Sequence, residues 1–153
     1  VSLDSNLRLR LWPVDRARAV LRETMRLADL FLPSMDDMQH LTGNDDPERT
    51  LDWIRDAGAA GVVVLKLGKD GSIIDDGRRR IPVAALRVDA VDATGAGDCF
   101  AGSLLARRCQ GESWEDAVRY ANAAAALSTL GYGAVDPLPR QEQVLERLKS
   151  LAG

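Results

Sequence analysis

Apolar residues in this chain fall into two kinds of stretch, short unbroken runs and longer segments with a helical period. Val1-Ser2-Leu3-Asp4 reads as a strand, and the compact run Asp29-Leu30-Phe31-Leu32-Pro33 reads as a second, buried strand ended by proline. Val62-Val63-Val64-Leu65-Lys66 is apolar on both faces, the composition of a strand inside a parallel sheet. Between these runs, residues 15–27 carry Ala17, Val20, Leu21, Met25 and Leu27 at helical spacing behind Pro13. Asp46-Pro47 supplies a cap and a first-turn proline for a helix over 48–60 that Gly61 would end. Strands alternating with helices predict an α/β protein with a mainly parallel sheet flanked by helices.

The second half has fewer strand signals. Lys66-Leu67-Gly68-Lys69-Asp70-Gly71 predicts a turn into Ser72-Ile73-Ile74, Asp75-Asp76-Gly77 a second turn, and Arg80-Ile81-Pro82-Val83 an extended path toward Val88. The apolar run 100–106 predicts a helix, and Ser113 opens another that is rich in alanine over 117–130, where small side chains allow close approach of a neighbouring helix or a flat ligand. Pro139 starts a last amphipathic helix with Val144, Leu145, Leu148 and Leu151 on its buried face.

With 153 residues, 46% of them hydrophobic, the chain can form one globular domain with its own core. A net charge of −3 gives no electrostatic case for nucleic acid or an anionic membrane, and Arg78-Arg79-Arg80 reads as a solvated loop or strand edge. No stretch approaches the roughly 20 apolar residues of a membrane span, and Val1-Ser2-Leu3-Asp4 does not begin a signal peptide, so the expected location is the cytoplasm. The start without methionine, as if a strand were already under way, suggests a piece of a longer chain. Cys99 and Cys109 would sit about 15 Å apart along one helix and cannot pair. With one histidine, His40, on a helix surface, a Cys/His zinc site lacks ligands.

The chemistry concentrates in Asp92-Ala93-Thr94-Gly95-Ala96-Gly97-Asp98-Cys99-Phe100. Small residues permit a sharp turn that delivers a helix N-terminus, where the amides of residues 95–98 would be free to hold phosphate oxygens. A carboxylate at an anion site repels the anion, so Asp98 is better suited to taking a proton from an attacking hydroxyl. Capping of the helix by Asp92 or Asp98 is the alternative.

This stretch resembles the D-T-x-G-A-G-D-x-F signature of ribokinase-like (PfkB) carbohydrate kinases, and the resemblance covers nearly all of the chain. It implies a three-layer ribokinase-like fold, with Asp98 as catalytic base, Gly95, Ala96 and Gly97 as the anion hole, and Asp92 organising the cation and phosphates. It also implies ATP and Mg2+ as cofactors and a small sugar or sugar acid as substrate. A K/T-x-G-x-x-G segment of the family matches Lys66, Gly68 and Gly71, which become nucleotide-site residues. The helix carrying Asn122 and the loop Gly131-Tyr132-Gly133-Ala134 would border the adenine, with Asn122 as a contact. Where the family has N-x-x-E near the metal, this chain has Ser34-Met35-Asp36-Asp37. Asp37 is then either a magnesium-shell residue or part of an ordinary cap formed with Ser34.

Asp4-Ser5-Asn6-Leu7-Arg8-Leu9-Arg10-Leu11-Trp12 resembles the matching segment of 2-keto-3-deoxygluconate kinases, where the first arginine contacts the sugar acid's carboxylate; that role falls on Arg8. Arginine is suited to it because its fork donates two parallel hydrogen bonds. A ribokinase- or fructokinase-like enzyme for a neutral sugar is the alternative, with Arg8 structural. By this resemblance residues 1–153 form a single domain, the C-terminal ATP-binding and catalytic part of a larger kinase, without its N-terminal half and lid. A homo-oligomer of the full-length protein is compatible with it. An inactive nucleotide-binding fragment is the further alternative for the chain taken alone.

Overall fold

The structure, a computed structural model, describes residues 1–152, which form two compact units: Val1–Gly68 with Ser72–Pro82, and Lys69–Gly71 with the chain from Val83 onward.

The first unit carries a sheet of order β1-β2-β3-β4-β5, made by Ser2–Asp4, Leu30–Leu32, Val62–Lys66, Ser72–Asp75 and Arg80–Val83. Strands β1, β2 and β3 are parallel, with Leu3 opposite Phe31 and Phe31 opposite Val63. Strand β4 is antiparallel to β3, pairing Lys66 with Ser72. The sheet is therefore mixed: the short 3-10 turn Gly68–Asp70 between β3 and β4 cannot make the crossover of a dozen or more residues that a parallel neighbour requires.

Helices α1 (Val14–Met25), α2 (Met35–Thr42) and α3 (Pro47–Asp56) pack on this sheet around Met25, Phe31, Met38, Leu41, Leu51, Ile54, Val63 and Leu65. Helix α3 stops at Asp56, earlier than Ala60, because the chain turns through Gly58 at φ +99°. Gly61 serves close approach instead of capping, since a Cβ there would lie 2.4 Å from the Ala28 carbonyl oxygen. Leu27 falls just past the end of α1 and is 75% exposed, so it does not join the packing face.

The run of arginines passes from an exposed loop at Arg78 and Arg79 into the edge strand β5 at Arg80, whose side chain turns to acidic partners. Arg55 and Arg80 converge on Asp75, which is 2% exposed. Arg55 Nη2 stands 2.7 Å and Arg80 Nε 3.2 Å from its carboxylate, while Arg80 also reaches Glu48 and Asp52. Burial pushes the Asp75 carboxyl up, but the Arg55 hydrogen bond, the Gly77 amide, the Arg55 charge and the Arg80 hydrogen bond outweigh it and hold it below the usual carboxylate range.

The second unit is helical: α4 (Ala96–Cys109), α5 (Trp114–Ser128) and α6 (Gln141–Ala152). Alanine side chains at 117, 121, 123 and 124 are buried, as close packing of α5 requires. Leu86, Tyr120, Ala123, Ala124 and Val144 form a core that Leu145 and Leu148 flank; Leu151, one turn further, lies outside it and is 60% exposed. The far end of α4 is held by Arg107 over the Tyr120 ring at 4.5 Å and Arg108 over Trp114 at 4.2 Å. Both cysteines are free and lie on α4. Among the described residues no helix is long and apolar enough to cross a membrane.

Candidate active site

In the second unit, the chain reaches α4 through two backbone hydrogen bonds, from the Val91 and Asp92 amides to the Thr129 carbonyl, at 2.7 and 3.1 Å. Gly95 then takes φ +76°, a left-handed turn that glycine adopts without steric cost, and α4 begins at Ala96. A Cβ on Gly95 would come within 2.8 Å of Ala134 Cβ, so the turn also needs glycine for space. One of the four amides expected to be open is taken, because Ala96 N–H donates to the Ala93 carbonyl at 3.1 Å. The amides of Gly95, Gly97 and Asp98 have no backbone acceptor among the described residues, as the first turn of a helix leaves them. Asp98 is exposed on that first turn and neither caps the helix nor pairs with a cation among the described residues.

Asp92 does not cap α4 either. Its Oδ1 accepts from the Thr94 amide at 2.9 Å and the Thr94 hydroxyl at 2.7 Å, and its Oδ2 accepts from the Gly133 amide at 2.9 Å. The carboxylate thus fastens the turn before α4 to the loop after α5. These donors, the Gly133 amide foremost, then the Thr94 hydroxyl and amide, hold its carboxyl below the usual range, so it stays ionised at neutral pH. Asn122 is buried in α5, where Nδ2 donates to the Val83 and Ala84 carbonyls at 3.1 and 3.3 Å. Gly71 meets the same segment: a Cβ would stand 2.2 Å from the Val83 oxygen. Gly68, at φ +61°, borders open space.

In the first unit, the candidate residues gather at the ends of β1 and β3. Lys66 Nζ lies 2.5 Å from Asp4 Oδ2, and Asp4 Oδ1 accepts from the Asn6 amide at 3.1 Å. Ser34 caps α2, its hydroxyl accepting from the Asp37 amide at 3.1 Å, so the cap reading of this pair holds. The Asp37 carboxylate makes long-range contacts that no local motif announces: Oδ2 accepts from the Ser5 hydroxyl at 2.6 Å and the Leu7 amide at 3.2 Å. Arg8 is exposed; its guanidinium donates to the Leu7 carbonyl and meets no carboxylate among the described residues.

Residues 1–141 match the pfkB family carbohydrate kinases. The chain belongs to that family. It is 37% identical to the 2-dehydro-3-deoxygluconokinase of Bacillus subtilis (strain 168), over 98% of this chain and 47% of that protein. The aminoimidazole riboside kinase of Salmonella enterica, solved with aminoimidazole riboside and an ATP analog, superposes with a TM-score of 0.88 at 30% identity, over 97% of this chain and 52% of that one. Fructokinase from Vibrio cholerae O395, solved with fructose, ADP and calcium, superposes at 0.86 with 34% identity, over 95% and 49%. This pfkB-family chain therefore spans about half the length of the relatives it matches.

Among the described residues no three His, Cys, Asp or Glu side chains gather as a metal cage.

Proposed function

We propose that this chain is the C-terminal, nucleotide-binding and catalytic portion of a cytoplasmic ATP-dependent kinase that phosphorylates a primary hydroxyl of 2-keto-3-deoxygluconate. The observation that carries the reading is the start of α4: open amides at Gly95, Gly97 and Asp98, with an Asp98 side chain on the same turn that is unpaired among the described residues. Asp98 accepts the proton of the substrate hydroxyl as its oxygen bonds to the γ-phosphorus and the bond to the bridging oxygen breaks, releasing ADP. A carboxylate is a weak base, adequate where proton transfer comes late in a loose transition state. The amides of Gly95, Gly97 and Asp98 hold the developing negative charge, with Ala96 contributing to the turn through its bond to Ala93.

Bound magnesium would neutralise charge on the phosphates, and Asp92 and Asp37 are the carboxylates offered to its water shell. Lys66, Gly68 and Gly71 line the nucleotide, and Asn122 acts by holding the 83–84 segment against Gly71. Arg8, exposed and without an acidic partner among the described residues, binds the sugar acid's carboxylate. The similarity to the Bacillus subtilis enzyme supports that substrate. A neutral sugar is the second reading, favoured by the likeness to kinases crystallised with fructose and with aminoimidazole riboside.

The test is ADP release by the full-length protein with saturating ATP and magnesium against 2-keto-3-deoxygluconate, gluconate, ribose and fructose. Preference for 2-keto-3-deoxygluconate is expected. Preference for fructose or ribose would keep the kinase and overturn the substrate, and no turnover with any sugar would overturn both. Turnover by the 153-residue chain alone would show that it is more than a nucleotide-binding fragment.

A further inference from the structure

The loop after β1 is fastened by two carboxylates, Asp4 at the end of the strand itself and Asp37 from α2. Asp4, itself paired with Lys66, holds the Asn6 amide. Asp37, 32 residues away from Ser5 in sequence, holds the Ser5 hydroxyl at 2.6 Å and the Leu7 amide at 3.2 Å on the same oxygen. The Ser5 hydroxyl in turn accepts from the Ser34 amide at 3.3 Å, so cap and loop share one chain of hydrogen bonds. Between the two anchored residues, Asn6 stands at φ +35°, the only non-glycine residue with positive φ among the described residues. Asparagine tolerates that region better than most residues, but surrounding contacts must still hold it there. Leu7 packs partly buried against the core, and the next residue, Arg8, emerges exposed.

We infer that Asp37 is a positioning residue for sugar recognition: through Ser5 and Leu7 it fixes the backbone from which Arg8 reaches the substrate. The inference rests on the kinase reading above and adds to the place of Asp37 near the cation. Hydrogen bonds to a charged acceptor are the stronger kind, and two on one oxygen tie residues 5 and 7 to a common point.

The experiment uses Ser5→Ala, Asp37→Ala and Asp37→Asn in the full-length protein. Ser5→Ala removes the tie and leaves the carboxylate in place; Asp37→Asn keeps a carbonyl oxygen for Ser5 and Leu7 while removing the charge. Amide hydrogen exchange of residues 5–8 is read first, because it needs no turnover, and Asp37→Ala is expected to speed exchange at Leu7 by about tenfold or more. Kinetics should then show the sugar KM raised about tenfold in both alanine variants, the ATP KM and magnesium requirement of Ser5→Ala within about twofold of wild type, and the sugar KM largely recovered in Asp37→Asn. A sugar KM that Ser5→Ala and Asp37→Ala leave unmoved, or a Leu7 amide that exchanges as in wild type, would overturn the inference. Wild-type protein that phosphorylates no sugar would instead sink the kinase reading, while the exchange arm would still decide whether Asp37 holds the loop.

Discussion

Asp92 and Gly133 are 41 residues apart in sequence and joined by a 2.9 Å hydrogen bond from the Gly133 amide to the Asp92 carboxylate. With the other oxygen occupied by Thr94, both sides of the carboxylate hold donors. Asp92→Asn should break one of these contacts whichever way the amide turns, because an NH2 group cannot accept. Faster hydrogen exchange at the Gly133 or the Thr94 amide is the expected result; unchanged protection at both would show that the carboxylate does not hold the loops. The pH dependence follows from the lowered carboxyl. A depressed folded value stabilises the tie fully above the ordinary value of 3.8 and loses it as pH falls through the lower folded one. Protection at Gly133 should therefore persist through mildly acidic pH and fail only below that range.

Gly68 and Gly71 differ in what surrounds them, though both have positive φ. Gly68→Ala meets open space and should cost about 1 kcal/mol, the backbone penalty alone. Gly71→Ala adds a Cβ 2.2 Å from the Val83 oxygen and 2.7 Å from the Ala85 nitrogen. Its cost should exceed about 3 kcal/mol, since backbone must move to admit it. Urea unfolding of the two variants measures the difference, and equal midpoints would contradict the close approach.

Asp75 should dominate the acid stability of the first unit. Removing it leaves Arg55 and Arg80 facing a buried gap, and Asp75→Ala is expected to cost about 3 kcal/mol. Glu48→Ala and Asp52→Ala remove only exposed partners of Arg80 and should cost less than about 1 kcal/mol each. Because the Asp75 carboxyl is held low, its contribution is complete above 3.8 and is lost as pH falls below that value through the folded one. Unfolding followed between pH 5 and pH 2 should show a steeper acid loss in wild type than in Asp75→Asn.

Strands β2 and β3 were legible because each is a short apolar run, and the turn before α4 because glycine and other small residues mark it. Long-range polar pairs were not. Asp75-Asp76-Gly77 reads locally as a turn, which it is, and nothing nearby shows that Arg55 reaches Asp75 across 20 residues. The Ser5–Asp37 contact is hidden for the same reason, while the cap between Ser34 and Asp37 is local and could be read. The end of α3 was misplaced because the apolar spacing continues past Asp56 through Ala57 and Ala60, and pattern alone does not show which of Gly58 and Gly61 turns left-handed. The free amides before α4 were overcounted since the bond from Ala96 to Ala93 depends on turn geometry, which composition does not specify.

Asp98 is the residue on which the proposed reaction depends most. It stands on the first turn of α4, where the helix end favours anions, and it has no partner of its own among the described residues. A carboxylate so placed weakens phosphate binding in the ground state, and in the proposed reaction it takes the substrate's proton. Asp98→Asn keeps the size and removes both the charge and the basicity. In the full-length protein, turnover should fall by at least about 100-fold, while ATP binding stays the same or tightens as the repulsion is lifted. Turnover measured by ADP release and binding measured by calorimetry separate the two effects. Near-normal turnover would remove Asp98 as the base, and a parallel loss of ATP binding would make it a structural part of the nucleotide site instead.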